Sequence, residues 1–207
     1  MGKTKVVRLI QKGGFEPTTS QKRAREIMGR NFFGVEEAIK HFGVNPTYQQ
    51  LEVLSEIPFS EVVLEQLKDT HVLVAVFPLS ISKIHKRNPD LFSSDWRDSR
   101  NKQKVSWQLV YKTPVDDSNS RTWDEQQSLL DKNEETPITQ VMVYTIIGHF
   151  LVTGEWLFKD VYVCCSGIES DGCRLKVGYT RYRLMVYPAW IGDRYYDTSL
   201  ASARKPD

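Results

Sequence analysis

Residues 136–155 read TPITQVMVYTIIGHFLVTGE and separate a largely helical part of the chain from a run of short strands. Pro137 suits the first turn of a helix and Gly154 suits its end, so the segment predicts one helix. One face of that helix carries Val141, Met142, Thr145, Ile146 and Phe150. Because the other positions are also mostly apolar, we expect this helix to be buried on nearly every side.

The sequence before this helix predicts short helices followed by strands. Helical spacing of apolar residues begins near Gly34, and Thr47 and Ser60 suit the N-caps of two further helices. His71–Ile81 is a continuous apolar run rich in β-branched residues, which is typical of a buried strand. Residues 105–115, VSWQLVYKTPV, predict a second strand.

Strands dominate the chain after residue 155. They are the segments DVYVCCS (160–166), CRLKVGY (173–179), RLMVYPA (183–189) and ASARK (201–205). Earlier in the chain, Ser82–Lys104 reads as a polar loop, and Thr122 with Glu125 forms a capping box that predicts a short helix. The order of elements indicates an α+β fold with an antiparallel sheet.

The composition is that of one large domain, or of one domain with an extension. The 207 residues are 40% hydrophobic and carry a formal net charge of +2, so no global field draws the protein to nucleic acid or acidic lipid. Residues 1–30 are basic and rich in Gly, Thr and Ser, which predicts a flexible basic arm. Residues 31–70 predict a helical extension ahead of the strands.

The three cysteines, Cys164, Cys165 and Cys173, make a poor disulfide framework because their number is odd and two are adjacent. We expect free thiols, as in an intracellular protein. The first residues show no signal-peptide pattern, and the apolar runs are too short to span a membrane. These features favour a cytoplasmic location without a membrane span.

No motif in the sequence points to catalysis. The four histidines are scattered, and His149, on the apolar helix, is expected to be a hydrogen-bonded structural residue. Adjacent Cys164 and Cys165 would point to opposite faces of one strand, so at most one of them could serve a site. We therefore expect a protein that is not an enzyme and has no catalytic residues, no metal site and no cofactor.

Residues 179–196, YTRYRLMVYPAWIGDRYY, carry the strongest functional signal. Six of these eighteen residues are aromatic and three are arginine. Tyrosine and tryptophan supply large, rigid contact area, and arginine adds forked donors and stacking, which is the chemistry of a recognition surface. Leu184 and Val186 alternate as a core face, and Trp190 is expected to be a buried anchor.

From about residue 71 to residue 205 the chain resembles the variable proteins of diversity-generating retroelements, in the bacterial and archaeal group with a C-type lectin fold. The matching features are the segment TPITQVMVYTIIGHFL with the TGE and LF that follow, the strand VYV, Val177 with Gly178, Trp190, Arg194 and the ending ASARK. Family members usually have a glycine shortly before the terminal serine-alanine-arginine, where this chain has Ser199.

The resemblance implies a lectin-like domain over residues 71–207, with two helices, a small twisted antiparallel sheet and a variable region at about 165–200. It implies a receptor-type protein whose partner is a protein or glycan. The implied variable, ligand-binding residues are Tyr179, Arg181, Tyr182, Arg183, Tyr187, Ile191, Tyr195 and Tyr196. The implied scaffold residues are Gly178, Trp190 and Arg194. We expect the variable residues to share one contiguous face on which Tyr195 and Tyr196 are exposed.

Diversification in such systems accounts for the unusual composition. Randomising both adenines of an asparagine codon gives Tyr, Arg, Ile and several small residues, but never Trp or Lys. Trp190 and Lys176 therefore fit a fixed scaffold or a separate origin.

Two other functions remain open at this point. A nucleic-acid-binding protein would use the basic residues KRAR (22–25) and KIHKRN (83–88) together with stacking aromatic side chains. An enzyme of the formylglycine-generating type shares the lectin-like scaffold, but it would need a reactive cysteine pair in a cleft.

Overall fold

The computed structural model of the protein describes residues 19–99, 103–180, 183–190 and 192–206. These residues form seven α-helices, two short 3-10 helices and two five-stranded sheets, which confirms the predicted α+β class. None of the helices in the described ranges has the length and apolar character needed to cross a bilayer.

The helices are α1 (Thr19–Met28), α2 (Val35–Phe42), α3 (Tyr48–Val53), α4 (Glu61–Leu67), α5 (Ile81–Arg87), α6 (Trp123–Gln127) and α7 (Thr139–Thr153). The 3-10 helices are Gly29–Asn31 and Pro89–Leu91. The strands are β1 (Phe32–Phe33), β2 (His71–Val76), β3 (Phe92–Trp96), β4 (Ser106–Tyr111), β5 (Glu134–Glu135), β6 (Tyr162–Ile168), β7 (Arg174–Thr180), β8 (Arg183–Ala189), β9 (Thr198–Leu200) and β10 (Ala203–Arg204).

The strands form two sheets of different composition. The first has the order β1-β2-β4-β10-β5, and the second has the order β3-β8-β7-β6-β9. Three pairs are parallel, namely β1 with β2, β3 with β8, and β6 with β9. The expectation of one antiparallel sheet was therefore incomplete, because parallel partners meet through long connections that sequence periodicity does not reveal.

Local capping signals set several helix ends, and the N-caps at Thr47, Ser60 and Thr122 were predicted. The Thr47 hydroxyl accepts from the Gln50 backbone N–H at 3.3 Å, and the Gln50 side chain accepts from the Thr47 N–H at 3.0 Å. Thr122 and Glu125 form the same reciprocal box at the start of α6. Gly43 ends α2 with φ 63°, a left-handed conformation that glycine adopts without a Cβ penalty.

Helix α7 is the centre of the core, as its sequence predicted. Its residues from Thr139 to His149 are all buried. It contacts β2 in the first sheet and both β6 and β7 in the second. The helix begins two residues after Pro137, because Ile138 is still extended, and it ends at Gly154.

Residues 31–70 pack into the same core. Strand β1 pairs with β2, so the extension contributes an edge strand to the first sheet. The Phe33 ring lies 5.4 Å from the Phe42 ring and 5.8 Å from the Tyr144 ring of α7, measured between centroids. The helical extension is thus joined to the rest of the chain by buried aromatic contacts.

The prediction of a flexible arm over residues 1–30 is wrong for its second part. Residues 1–18 lie outside the described residues, whereas 19–28 form α1. This helix buries Ala24, Ile27 and Met28, whose spacing was obscured by the many charged residues between them.

The prediction of a polar loop over Ser82–Lys104 is also wrong. Its first six residues belong to helix α5, which the Ser80 hydroxyl caps by accepting from the Lys83 N–H at 3.3 Å. Ile81 and Ile84 anchor this helix in the core. Strand β3 follows, and the earlier strand β2 accordingly ends at Val76 instead of running to Ile81.

Candidate functional site

In the antiparallel hairpin β7–β8, residues Arg183–Tyr187 of β8 alternate between the surface and the core. Leu184 and Val186 on β8 have no exposed surface, whereas Arg183 is exposed and Tyr187 is half-buried. Residues that are directly opposite share a face, and Lys176 of β7 is opposite Tyr187. Arg183, Tyr187 and Lys176 therefore lie on one side, which we call the outer face of the hairpin.

Tyr179 does not lie on this outer face. It is opposite Leu184 in the hairpin, so its side chain points toward the core and is only 4% exposed. Its ring stacks on Trp156 at 4.0 Å between centroids. The expectation that Tyr179 belongs to the exposed recognition face is wrong, because strand alternation places it on the same side as Val177. Arg181, Tyr182 and Ile191 lie outside the described residues.

The loop between β8 and β9, residues 190–197, stands next to the outer face. Trp190 is 51% exposed, so the prediction of a buried anchor is wrong. Trp190 lies just beyond the last paired residue of β8, where the strand alternation that would turn it inward has ended. Tyr196 is 85% exposed, as expected, but Tyr195 is half-buried.

Tyr195 is half-buried because its side chain is hydrogen-bonded to other residues of the loop. Its hydroxyl accepts from the Trp190 backbone N–H at 3.1 Å and donates to an Asp193 carboxylate oxygen at 2.9 Å. Gly192 turns the loop with φ 93°, a conformation that favours glycine. Tyr195 therefore stabilises the loop. The resemblance, which listed it among the variable ligand-binding residues, did not imply this structural role.

Lys176 is the buried cation beneath this loop. Its ammonium group donates to Asp197 at 3.2 Å and to the Thr198 hydroxyl at 3.0 Å. It also lies 4.7 Å from the centroid of the Tyr162 ring and 4.5 Å from that of Tyr195. A lysine is rarely buried without such partners, so Lys176 fixes the loop and the strands to each other. From the sequence, Lys176 fitted either a fixed scaffold or a separate origin, and nothing in the sequence pointed to these contacts.

Replacing Lys176 with methionine is expected to lower the free energy of unfolding by about 1–2 kcal/mol, because Asp197 and Thr198 lose a charged donor. The cost stays below that of a fully buried pair, since the Asp197 side chain is 36% exposed. Urea denaturation of the variant measures it. A Lys176→Arg variant, which keeps the charge, is the control. Equal stability of wild type and Lys176→Met would contradict the assigned role.

Arg194 fixes the same loop to helix α6. Its guanidinium contacts a Glu125 carboxylate oxygen at 2.6 Å and donates to the Ser120 carbonyl at 3.2 Å. The Thr122 backbone N–H, and secondly Arg194, hold the pKa of Glu125 below its ordinary value. Glu125, whose side chain takes part in the capping box of α6, thus also binds the loop through Arg194. This contact agrees with a scaffold role for Arg194.

Gly178 is required by close packing between β6 and β7. A Cβ at this position would lie 2.5 Å from the Val161 carbonyl oxygen and 2.8 Å from the Tyr162 ring. Only a residue without a side chain fits there unless the backbone moves. The geometry is that of a scaffold position.

A shallow cleft of about 20 Å³ lies between the loop and α6. Its walls include Trp123, Arg174, Trp190 and Tyr195. The Arg174 guanidinium lies 3.6 Å above the centroid of the Trp123 ring and also donates to the Ser166 carbonyl. Sites that enclose small molecules have roughly 300–1,000 Å³. The outer face therefore offers an aromatic and cationic surface instead of an enclosed pocket.

All three cysteines are free and buried, which confirms the prediction of free thiols. Burial raises the pKa of Cys164 to about 11 and also raises the pKa values of Cys165 and Cys173. Because the thiolate is the reactive form, these thiols are poorly suited to the chemistry of the formylglycine-generating alternative.

The first basic segment considered for nucleic-acid binding is partly paired within the protein. Arg23 contacts Glu61 at 3.2 Å, and Arg25 contacts Glu37 at 2.6 Å. Paired groups are less available to phosphates, which weakens this alternative for the first segment. In the second segment, His85 stacks on Trp96 at 4.7 Å between centroids, whereas the cationic side chains are exposed.

His149 has the predicted structural role. Its Nδ1 lies 3.0 Å from the Glu155 carbonyl oxygen, and its Nε2 lies 3.3 Å from the Asn31 side-chain oxygen. Within the described ranges, no group of three or more His, Cys, Asp or Glu residues is placed to hold a metal ion.

Comparisons of the chain with models of protein families, with curated proteins and with solved structures find no match.

Proposed function

We propose that the protein is a receptor-type binding protein whose C-terminal surface is diversified by a retroelement and recognises a protein or glycan. The observation that carries the proposal is the separation of roles in the β7–β8 hairpin. Arg183 and Tyr187 stand on the outer face, while Leu184 and Val186 between them are completely buried. Side chains on this face can change without opening the core.

The composition of the outer surface supports a macromolecular partner. Trp190 and Tyr196 are large exposed aromatic side chains in the loop that also holds the exposed Arg194, and Arg183 is exposed at the other end of β8. Trp, Tyr and Arg are the residues that most often supply binding energy at protein interfaces. The cleft beneath them is too small to enclose a ligand, so recognition would occur across the surface.

The same proposal assigns residues 71–207 to a C-type lectin-like domain with a variable region at about 165–200. Helices α6 and α7 precede the antiparallel strands β6, β7 and β8, and an exposed loop follows them; the same range also contains a third helix, α5. This order supports the assignment. The pairing of β10 with β4 also supports it, because the strand that follows the variable region then returns to the sheet that holds β2.

The first test is tolerance of the outer face to substitution. A double variant, Arg183→Ser and Tyr196→Ser, is expected to unfold within about 4 °C of the wild type, since exposed positions contribute within about 0.5 kcal/mol each. The matched control changes the alternating core residues, Leu184→Ser and Val186→Thr, and should lose several kcal/mol. Similar losses in both variants would contradict the proposal.

The second test is binding itself. A displayed library randomised at Arg183, Tyr187, Trp190 and Tyr196 should yield binders to hen lysozyme as a probe protein. A control library randomised at Lys83, Lys86 and Arg87, exposed on α5, should yield none. Failure of the first library, or equal success of both, would overturn the recognition surface.

The retroelement origin has its own test at the level of the gene. A near-copy of the codons for residues 165–205 is expected beside a reverse transcriptase gene, with differences confined to template adenines. Sequencing the genomic neighbourhood checks this, and the absence of such a copy would reject the diversification mechanism.

A further inference from the structure

A second recess lies at the end of α7, on the side of β7 opposite to Lys176. It is wide and open to solvent, and its volume of about 650 Å³ falls within the range of roughly 300–1,000 Å³ that is usual for small-molecule sites. The walls are formed by Leu91, Phe150, Trp156 and Tyr179, together with the charged residues Glu155 and Lys159. A mainly apolar wall with few charged groups is the usual design of a site for an amphipathic small molecule.

The aromatic wall is a stack of three rings. The Trp156 ring lies 4.2 Å from Phe150 and 4.0 Å from Tyr179 between centroids, with interplanar angles of 23° and 11°. Two near-parallel rings at these distances cannot share one face of the indole, so Trp156 is sandwiched between them. The indole then presents its edge to its surroundings, and ring edges carry the positive part of the aromatic quadrupole. Such a wall favours apolar groups and tolerates an anion.

The two charged residues of the wall do not cancel each other. The Glu155 carboxylate contacts Arg30 at 2.6 Å, and this contact holds the pKa of Glu155 below its ordinary value. Lys159 makes no ion pair with any carboxylate of the described ranges. The recess therefore has one compensated anion and one uncompensated cation, which gives it a net positive charge.

The backbone around Lys159 is held in an unusual conformation. Phe158 and Asp160, on either side of it, have φ values of 55° and 60°. Non-glycine residues in this region cost about 1–3 kcal/mol each and are kept only where the surroundings enforce them. Here the Phe158 side chain is buried, and the Asp160 N–H donates to the Tyr179 carbonyl at 3.0 Å. The strained segment fixes the backbone of Lys159 at the rim of the recess, from which its exposed side chain extends.

We propose that this recess binds a small carboxylate that carries an apolar group. The apolar group lies against Leu91 and the aromatic wall, and the carboxylate pairs with the Lys159 ammonium. This function is separate from macromolecular recognition on the outer face, and neither depends on the other.

Isothermal titration calorimetry with 4-phenylbutyrate, octanoate and the neutral 4-phenylbutanamide tests the proposal. The wild type should bind the two carboxylates, and 4-phenylbutyrate should bind about tenfold more tightly than its amide, as expected for a charge-assisted contact. Lys159→Met should remove that preference, and Lys159→Arg should retain it. Lys22→Met, an exposed lysine on α1, is the matched control and should behave as the wild type.

A second variant locates the ligand. Leu91→Trp places a large side chain in the recess from a half-buried position, so it should abolish binding while the melting curve stays cooperative. The proposal is overturned if neither carboxylate binds at millimolar concentration or if acid and amide bind equally to the wild type. Unchanged binding in a folded Leu91→Trp variant would likewise overturn it.

Discussion

Replacing Phe33 with alanine is expected to lower the free energy of unfolding by about 3–5 kcal/mol, the usual cost of truncating a buried phenylalanine. Phe33 is 1% exposed and packs against both Phe42 of α2 and Tyr144 of α7, whose rings lie 4.5 Å from each other. Its ring also packs over Gly148, where a Cβ would come within 3.0 Å of it. The substitution would leave a cavity between the helical extension and the central helix.

Urea denaturation of the full chain measures this effect. Tyr48→Ala, at a position that is 66% exposed on α3, is the matched aromatic control and should change stability by no more than about 0.5 kcal/mol. If Phe33→Ala is as mild as the control, the extension does not share the core. A single cooperative transition in the wild type is part of the same expectation.

Acidification from pH 6.5 to pH 4 should remove up to about 3 kcal/mol of stability through His71 alone. Burial, and then the charges of Arg204 and Lys112, lower the pKa of His71 from 6.5 to about 4. The folded state therefore binds the proton less readily than the unfolded state. The stabilising contribution is fully present above pH 6.5 and is lost as the pH falls toward 4.

The His71→Gln variant isolates this contribution, because the effects of carboxylates and of His149 are common to both proteins. The stability difference between wild type and variant should shrink as the pH falls across this interval. Thermal or urea unfolding at several pH values provides the curves. Parallel curves would show that His71 does not titrate differently on folding.

Much of the fold was predictable because its signals are local. The capping boxes at Thr47 and Thr122, the apolar helix α7 and strand β8 all follow from residues within one short window. Helix α5 was missed although its apolar pair Ile81 and Ile84 has helical spacing, because the polar residues around the pair dominated the interpretation. The parallel pairing of β6 with β9 has no local signal at all.

In the candidate site, too, the residues with a local signal were predictable and the others were not. Alternation correctly gave Leu184 and Val186 to the core, and the same rule applied from Val177 would have turned Tyr179 inward. Trp190 could not be placed by alternation, because it follows the last paired residue of its strand. The contacts of Lys176 depend on Asp197 and Tyr195, which only the folded loop brings to it.

The closing strands β9 and β10 have a consequence for how the protein folds. Leu200 pairs with Cys164 in one sheet, and three residues later Ala203 pairs with both Val110 and Glu135 in the other. Neither sheet is complete until these late residues have found partners far back in the chain. Pairings between such distant positions carry a large loop-closure entropy and slow the search for the native state. During synthesis, the two sheets should therefore remain open until the last strands emerge from the ribosome, and both should then close together.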